Sequence, residues 1–168
     1  MSNGRCITHR EARQLLADTF KKYGDQDLIG MSGLITTLQW QENVAKIVRD
    51  LQPKSIISSG GGLATEFREI LFHWIPELDA IAHSEGEDVI IKMAYDAKLI
   101  RKMGLKQAEQ SGKLAPYFLG IHKGRPHFAY DGGRPKDLDS IPFPAWDLLS
   151  SDIHGYPILE NYIKAPVW

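Results

Sequence analysis

Apolar and polar positions along this chain follow two alternating rhythms. Over residues 10–23 the apolar positions Leu15, Leu16 and Phe20 recur at helical spacing, with Thr19 beside them. Arg10, Arg13, Lys21 and Lys22 fall on the outward face, and Gly24-Asp25 supplies a helix stop. The short apolar run Leu28-Ile29-Gly30-Met31-Ser32 follows, then Gly33 and the pair Thr36-Thr37. Residues 38–51 return to helical spacing through Val44, Ile47, Val48 and Leu51, closed by Pro53. Ser55-Ile56-Ile57-Ser58 predicts a strand leading into Gly60-Gly61-Gly62, and residues 65–74 predict a helix that Pro76 terminates. A third strand-like run, 78–83, meets Ser84-Glu85-Gly86-Glu87. A helix over 88–102 comes next, with Val89, Ile90, Met93, Ala94 and Ala97 expected on its inner side.

Strands alternating with helices at this spacing predict an α/β fold of βαβ units, a parallel sheet with helices on both faces. The sheet expected is thin, with three strands. After Gly104 the texture changes. Residues 117–122 and 126–130 are β-prone runs joined by Lys123-Gly124-Arg125, which predicts a hairpin with a glycine-bearing turn. Pro142, Pro144, Pro157 and Pro166 make the remainder a packed arm or linker, since proline excludes a long helix or central strand. The expected organisation is a domain over 1–104, a hairpin extension over 105–135 and a Pro-rich linker over 136–168.

Composition narrows the function classes. The 168 residues suit one domain, and 43% apolar with 24% charged residues is ordinary for a globular protein. A formal net charge of −1, with acids and bases mixed, argues against nucleic-acid binding and a polybasic membrane anchor. No run reaches the roughly 18–20 apolar residues of a membrane span, and the polar start offers no secretory signal. The expected compartment is the cytoplasm. Cys6 is the one cysteine, so neither an internal disulfide nor a thiolate-held iron–sulfur cluster can be built from this chain.

Ligands of open α/β sheets collect beyond the carboxyl ends of the strands. Three loops qualify. The first carries Ser32, Gly33, Leu34 and Thr36, the second Gly60, Gly61 and Gly62 before a helix start, the third Glu85, Gly86 and Glu87. Each also has a plain structural reading: a tight turn for the glycines, a favourable helix start for Glu87-Asp88, a self-capping loop for Ser32. The triple glycine matches neither the dinucleotide fingerprint nor the phosphate-loop pattern. His9, His73, His83, His122, His127 and His154 are scattered without the i, i+4 spacing of helix-borne metal ligands. His122 and His127 lie on opposite arms of the hairpin, within cross-strand reach as a structural or solvated pair. No nucleophile is paired with a base.

Taken in order, these segments resemble a known family. Ser32-Gly33-Leu34 resembles the serine-any-leucine motif of cobalamin-binding domains, and Gly61-Gly62 the paired glycine that follows it. Ser84-Glu85-Gly86-Glu87 resembles the Gly-Glu-Gly-Glu segment of the cobalamin-binding regions of radical S-adenosylmethionine enzymes, with serine in place of the first glycine. Asp137-Leu138-Asp139-Ser140-Ile141-Pro142-Phe143-Pro144-Ala145-Trp146-Asp147-Leu148-Leu149 is similar to the linker before their catalytic barrel. The resemblance covers roughly residues 27–149.

It implies a Rossmann-like (flavodoxin-like) parallel sheet, reduced in strand number, that embraces the lower face of a corrin and its nucleotide tail. Ser32 and Leu34 would line the tail's pocket, and Gly61 and Gly62 would let backbone and nucleotide approach. The implied cofactor is cobalamin, with an iron–sulfur cluster and S-adenosylmethionine belonging to a barrel this chain does not contain. The implied partners are the corrin and that barrel, in a methyltransferase-like enzyme in which this chain performs no catalysis itself. The sequence departs from the family pattern in having no Asp-any-His motif ahead of Ser32, which points to a missing first βα unit and an exposed sheet edge suited to homodimerisation. A second expectation is a degenerate α/β scaffold that binds no corrin. A third is a small protein that binds nucleoside phosphates at Gly60-Gly61-Gly62.

Overall fold

A computed structural model describes residues 7–114, 116–134 and 137–141. The chain divides into a unit over 1–135 and a unit over 136–168. Cys6, His154 and the proline-rich stretch from 142 onward lie outside the described residues. In the second unit, residues 138–140 form a 3-10 turn in which the Asp137 side chain accepts from the Asp139 N–H at 3.0 Å.

The first unit opens with helix α1, His9–Tyr23, one residue longer than its periodicity predicts. Thr8 caps it reciprocally with Glu11: the Thr8 hydroxyl accepts from the Glu11 N–H at 3.3 Å, and the Glu11 carboxylate accepts from the Thr8 N–H at 2.8 Å. Strand β1 is Leu28–Ser32, and a 3-10 turn at Ile35–Thr37 leads into α2, Leu38–Leu51. Strand β2, Ile56–Gly60, buries four consecutive residues, as a central strand covered on both faces must. Strand β3 is Ala80–His83, and α5 below is Glu87–Met103.

The helix predicted over 65–74 is instead broken. Helix α3 runs Gly61–Phe67 and α4 runs Leu71–Trp74, separated by a 3-10 turn at Arg68–Ile70. Arg68 takes a φ of 47°, outside the helical region, although the local sequence holds no glycine or proline to announce a break. Tertiary packing sets it: Leu63 and Ala64 before the break and Leu71, Ile75 and Leu78 after it all enter one core. On α5 the buried stripe is Val89, Met93, Asp96 and Ala97. Ile90 and Ala94, expected on that face, are exposed, because one step of about 100° turns them off the stripe. A short helix α6, Leu105–Gln110, follows the left-handed Gly104 and carries too little periodicity to be foreseen.

The expectation of a thin three-strand sheet is corrected by the hairpin. Strands β4, Phe118–His122, and β5, Arg125–Asp131, join the same sheet, giving the order β1-β2-β3-β5-β4. β5 runs parallel to β3 with Ala80 opposite Phe128, and β4 closes that side antiparallel to β5. Lys123 (φ 50°) and Gly124 (φ 77°) form the two-residue turn between them, both with the positive φ that the favoured hairpin turn demands. The result is an α/β fold with a mostly parallel, Rossmann-like sheet and a hairpin at its end. Two cores lie on opposite faces: Ile57 and Ile81 pack with α2, α3 and α4, while Ile56, Ala80, Phe128 and Tyr130 pack with α5.

Two buried polar contacts hold these layers in register. At the amino end of β3, Asp79 is 1% exposed, and its carboxylate accepts from the Ile57 N–H at 2.9 Å and from Arg49 of α2. The Arg125 guanidinium faces the same carboxylate at 3.8 Å. Burial raises the Asp79 carboxyl above its usual range, against the pull of both arginines and the Ile57 hydrogen bond. On the other face the Tyr130 hydroxyl donates to Asp96 at 2.7 Å. Burial first, and then Asp96, hold that phenol well above its ordinary value.

Asp79→Ala leaves Arg49 and Arg125 facing an empty buried site. It is expected to cost about 3–5 kcal/mol in urea denaturation, with Asp79→Asn costing less. For Tyr130 the sign is alkaline. A raised folded-state value means stability present below the ordinary tyrosine range and lost as pH rises above about 10. Tyr130→Phe should flatten the stability profile above that pH by about 1.4 kcal/mol per pH unit, read from denaturation midpoints.

A candidate ligand site at the carboxyl end of the sheet

Four parallel strands end together, at Ser32, Gly60, His83 and Asp131. The first two loops are in direct contact. Ser32 pairs in register with Gly60, and the Gly33 carbonyl accepts from the Leu63 N–H at 2.9 Å. A Cβ added at Gly61 would lie 2.6 Å from the Ser32 hydroxyl, and one at Gly62 would lie 2.9 Å from a Leu34 methyl. Gly61 also sits at φ 75°. What approaches these two glycines is therefore the chain itself, with Ser32 and Leu34 seated against them. Beneath the loop, a polar chain that periodicity does not reveal ties α2 to β2. The Ser59 hydroxyl donates to the Gln41 side chain at 2.7 Å, and the Gln41 amide donates to Thr37 at 3.4 Å. Gly33 is needed there, because a Cβ would stand 2.1 Å from the Thr37 hydroxyl.

Thr36 stands apart from the glycines. It lines an open groove of about 500 Å³ with Ile35, Leu38 and Trp74. Leu34 and Ile35 are 63% and 51% exposed beside it, an apolar patch next to Gln39 and Glu42 of the same groove.

Glu85, Gly86 and Glu87 form the third part of the edge. Gly86 caps α5, its carbonyl accepting from the Ile90 N–H at 2.9 Å, and Glu87 begins the helix. This loop is braced by two contacts from elsewhere. The Ser84 N–H donates to the Thr65 hydroxyl of α3 at 3.2 Å. Gly132, after β5, lies so close that a Cβ would fall 1.6 Å from the Glu85 carbonyl oxygen. The Asp131-Gly132-Gly133 turn is thus a fourth loop of the site. Its signal was present as a paired glycine after a β-prone run, but nothing local places that run beside β3.

The structure adds a further pair. His83, 5% exposed, presents Nδ1 3.5 Å from the Asp131 carboxylate. The Gly133 N–H hydrogen bond holds Asp131 below the usual carboxylate range, helped by the Ser84 side chain and by His83 and Arg68. Among the described residues no group of three His, Cys, Asp or Glu side chains could hold a metal ion. Ser32, Leu34, Gly61, Gly62, Glu85, Gly86 and Glu87 are exposed along the edge. The corrin implied by the resemblance does not fit between the first two loops, where Ser32 and Leu34 occupy the space against the glycines.

Gly132→Ala should destabilise the fold by about 2 kcal/mol or more, since backbone must move to admit the methyl. Gly86→Ala meets open space and an ordinary φ, so only the weaker cap is felt, under about 1 kcal/mol. Paired urea denaturations distinguish the two.

No family model and no solved structure matches the chain. It is 26% identical over 140 residues to a protein of Pyrococcus horikoshii described as an uncharacterized methyltransferase. The match covers 82% of this chain and 28% of that relative, so the chain spans less than a third of the relative's length.

Proposed function

We propose that this chain is a cobalamin-binding-like domain serving a methyltransferase, with the cofactor resting on the outer surface of the four-loop edge. The observation that carries the reading is the exposed edge along which Ser32–Leu34, Gly61–Gly62 and Glu85–Glu87 leave adjacent parallel strands. The methyltransferase description of the Pyrococcus horikoshii relative supports it. In this reading Leu34 and Ile35 offer an apolar surface to a flat macrocycle. Exposed backbone at Gly86 admits close approach, and Glu85 and Glu87 accept hydrogen bonds from amide-bearing side groups. Cobalamin supplies methyl-carrying chemistry when bound. An iron–sulfur cluster and S-adenosylmethionine would belong to a radical S-adenosylmethionine barrel, the domain's natural partner.

A second reading is favoured by one specific observation, the closure of the glycine gap by Ser32 and Leu34. On that reading the domain is a scaffold that binds no corrin and docks through its surfaces, including the outer side of β1, an edge strand of the sheet.

Hydroxocobalamin added to the purified chain decides between them through the visible spectrum and calorimetry. Binding is expected, and Gly86→Trp, which adds bulk where a Cβ meets nothing within 4 Å, should weaken it on the order of tenfold or more. No spectral change and no heat with the wild-type chain leaves the scaffold reading standing.

A further inference from the structure

The opposite, amino end of the sheet carries a second concentration of chemistry that the proposed function does not use. A cavity of about 450 Å³ opens between the turn after α3, helix α4 and the hairpin tip. His73 of α4, His122 of β4, Lys123 of the turn, and Arg125 and His127 of β5 line it, with Glu69 as its one carboxylate. The placement is built by the fold. Pairing of β4 with β5 sets the His122 and His127 rings 5.2 Å apart, and Phe72 stacks on His127 at 4.1 Å, fixing that ring in the wall.

Arg125 is a fixed part of this wall. Its guanidinium donates to the Pro76 carbonyl and, at 3.1 Å, to the Glu77 carbonyl, and it faces Asp79 from 3.8 Å. The three imidazoles and the Lys123 ammonium have no such acceptor among the described residues. Donors thus converge on open space, with Glu69 alone to oppose them. Lys123 and Arg125 place positive charge on this space, which favours an anion there.

We propose that this cavity binds a phosphate-type oxyanion, held by His73, His122, His127 and Lys123 against the fixed charge of Arg125. A shared metal ion is the competing occupant of a histidine cluster, but no three ligands among the described residues are placed to hold one. Burial lowers His127 below its ordinary value, and the neighbouring His122, Arg125 and His73 lower it further. An anion reverses those charge effects, so binding takes up protons and strengthens as pH falls. Glu69 works against this, as the acid on the same rim, while Asp79 and the Glu77 carbonyl act only on Arg125 from behind.

The test uses the full chain with sulfate, inorganic phosphate and pyrophosphate as probes, read by calorimetry and by the imidazole C2–H resonances. Sulfate keeps its charge across the range, so it reports the protein's protons alone. Its affinity is expected to rise on the order of tenfold from pH 8 to pH 6, and the titration midpoint of His127 to move upward. Phosphate and pyrophosphate should bind at least as tightly as sulfate. His122→Asn combined with Lys123→Gln, both exposed at the hairpin tip, should weaken all three at least about fivefold, and Glu69→Gln should strengthen them. Histidine titrations identical in sulfate and in chloride at equal ionic strength would overturn the proposal in the wild-type chain itself. So would unchanged affinity in the double variant, or zinc binding at pH 8 that the same histidines support and that excludes the anions.

Discussion

The buried carboxylate of Asp79 stands where three parallel strands begin. Its side chain receives the Ile57 N–H of β2 and the Arg49 guanidinium of α2, while its own carbonyl accepts from the Phe128 N–H of β5. Arg49 reaches on to the Ser55 and Glu77 carbonyls at 3.0 and 2.9 Å, and Arg125 brings the hairpin to the Glu77 carbonyl. A buried charge is tolerable only when its partners are in place, so this cluster admits one stagger of β2, β3 and β5. The far ends of those strands then finish level. The loops at the carboxyl edge meet because the amino edge is locked.

At the carboxyl edge the glycines serve contacts between loops. Gly33 clears Thr37 and Gln41, Gly61 and Gly62 clear Ser32 and Leu34, and Gly132 clears Glu85. Each removes a Cβ where two backbones or a backbone and a side chain must touch. The consequence is a nearly continuous edge of exposed backbone and small side chains, with an apolar shoulder at Leu34, Ile35 and Trp74 on one side and Glu85 and Glu87 on the other. A flat ligand would lie across such an edge. Only a shift of the Ser32–Leu34 segment would let it enter between the first two loops.

The two ends of the sheet carry different side-chain chemistry. Acidic residues gather where the strands finish, at Glu85, Glu87, Asp88 and Asp131, whereas His73, His122, Lys123, Arg125 and His127 gather where β5 starts. Parallel strands make this separation possible, because every βα turn falls at one end and every αβ turn at the other.

Much of this was legible in the order of residues. Strand β1 and helix α2 fall where alternation and helical spacing put them, since each buries one stripe or a short apolar run and local pattern reports that directly. The contact of Ser32-Gly33-Leu34 with Gly61-Gly62 follows from βαβ geometry, which sets adjacent strand ends side by side. Other features depend on partners distant in sequence. The place of β5 beside β3 and the His83–Asp131 pair have no local signal, because both depend on which strand the hairpin joins, and the break at Arg68 depends on the core that its flanking residues enter. Hydrophobic periodicity determined where β1 and α2 begin and end and which apolar stripe α2 would bury. Tertiary structure decided their neighbours, through hydrogen bonds and ion pairs whose energies exist only once distant residues have been brought together.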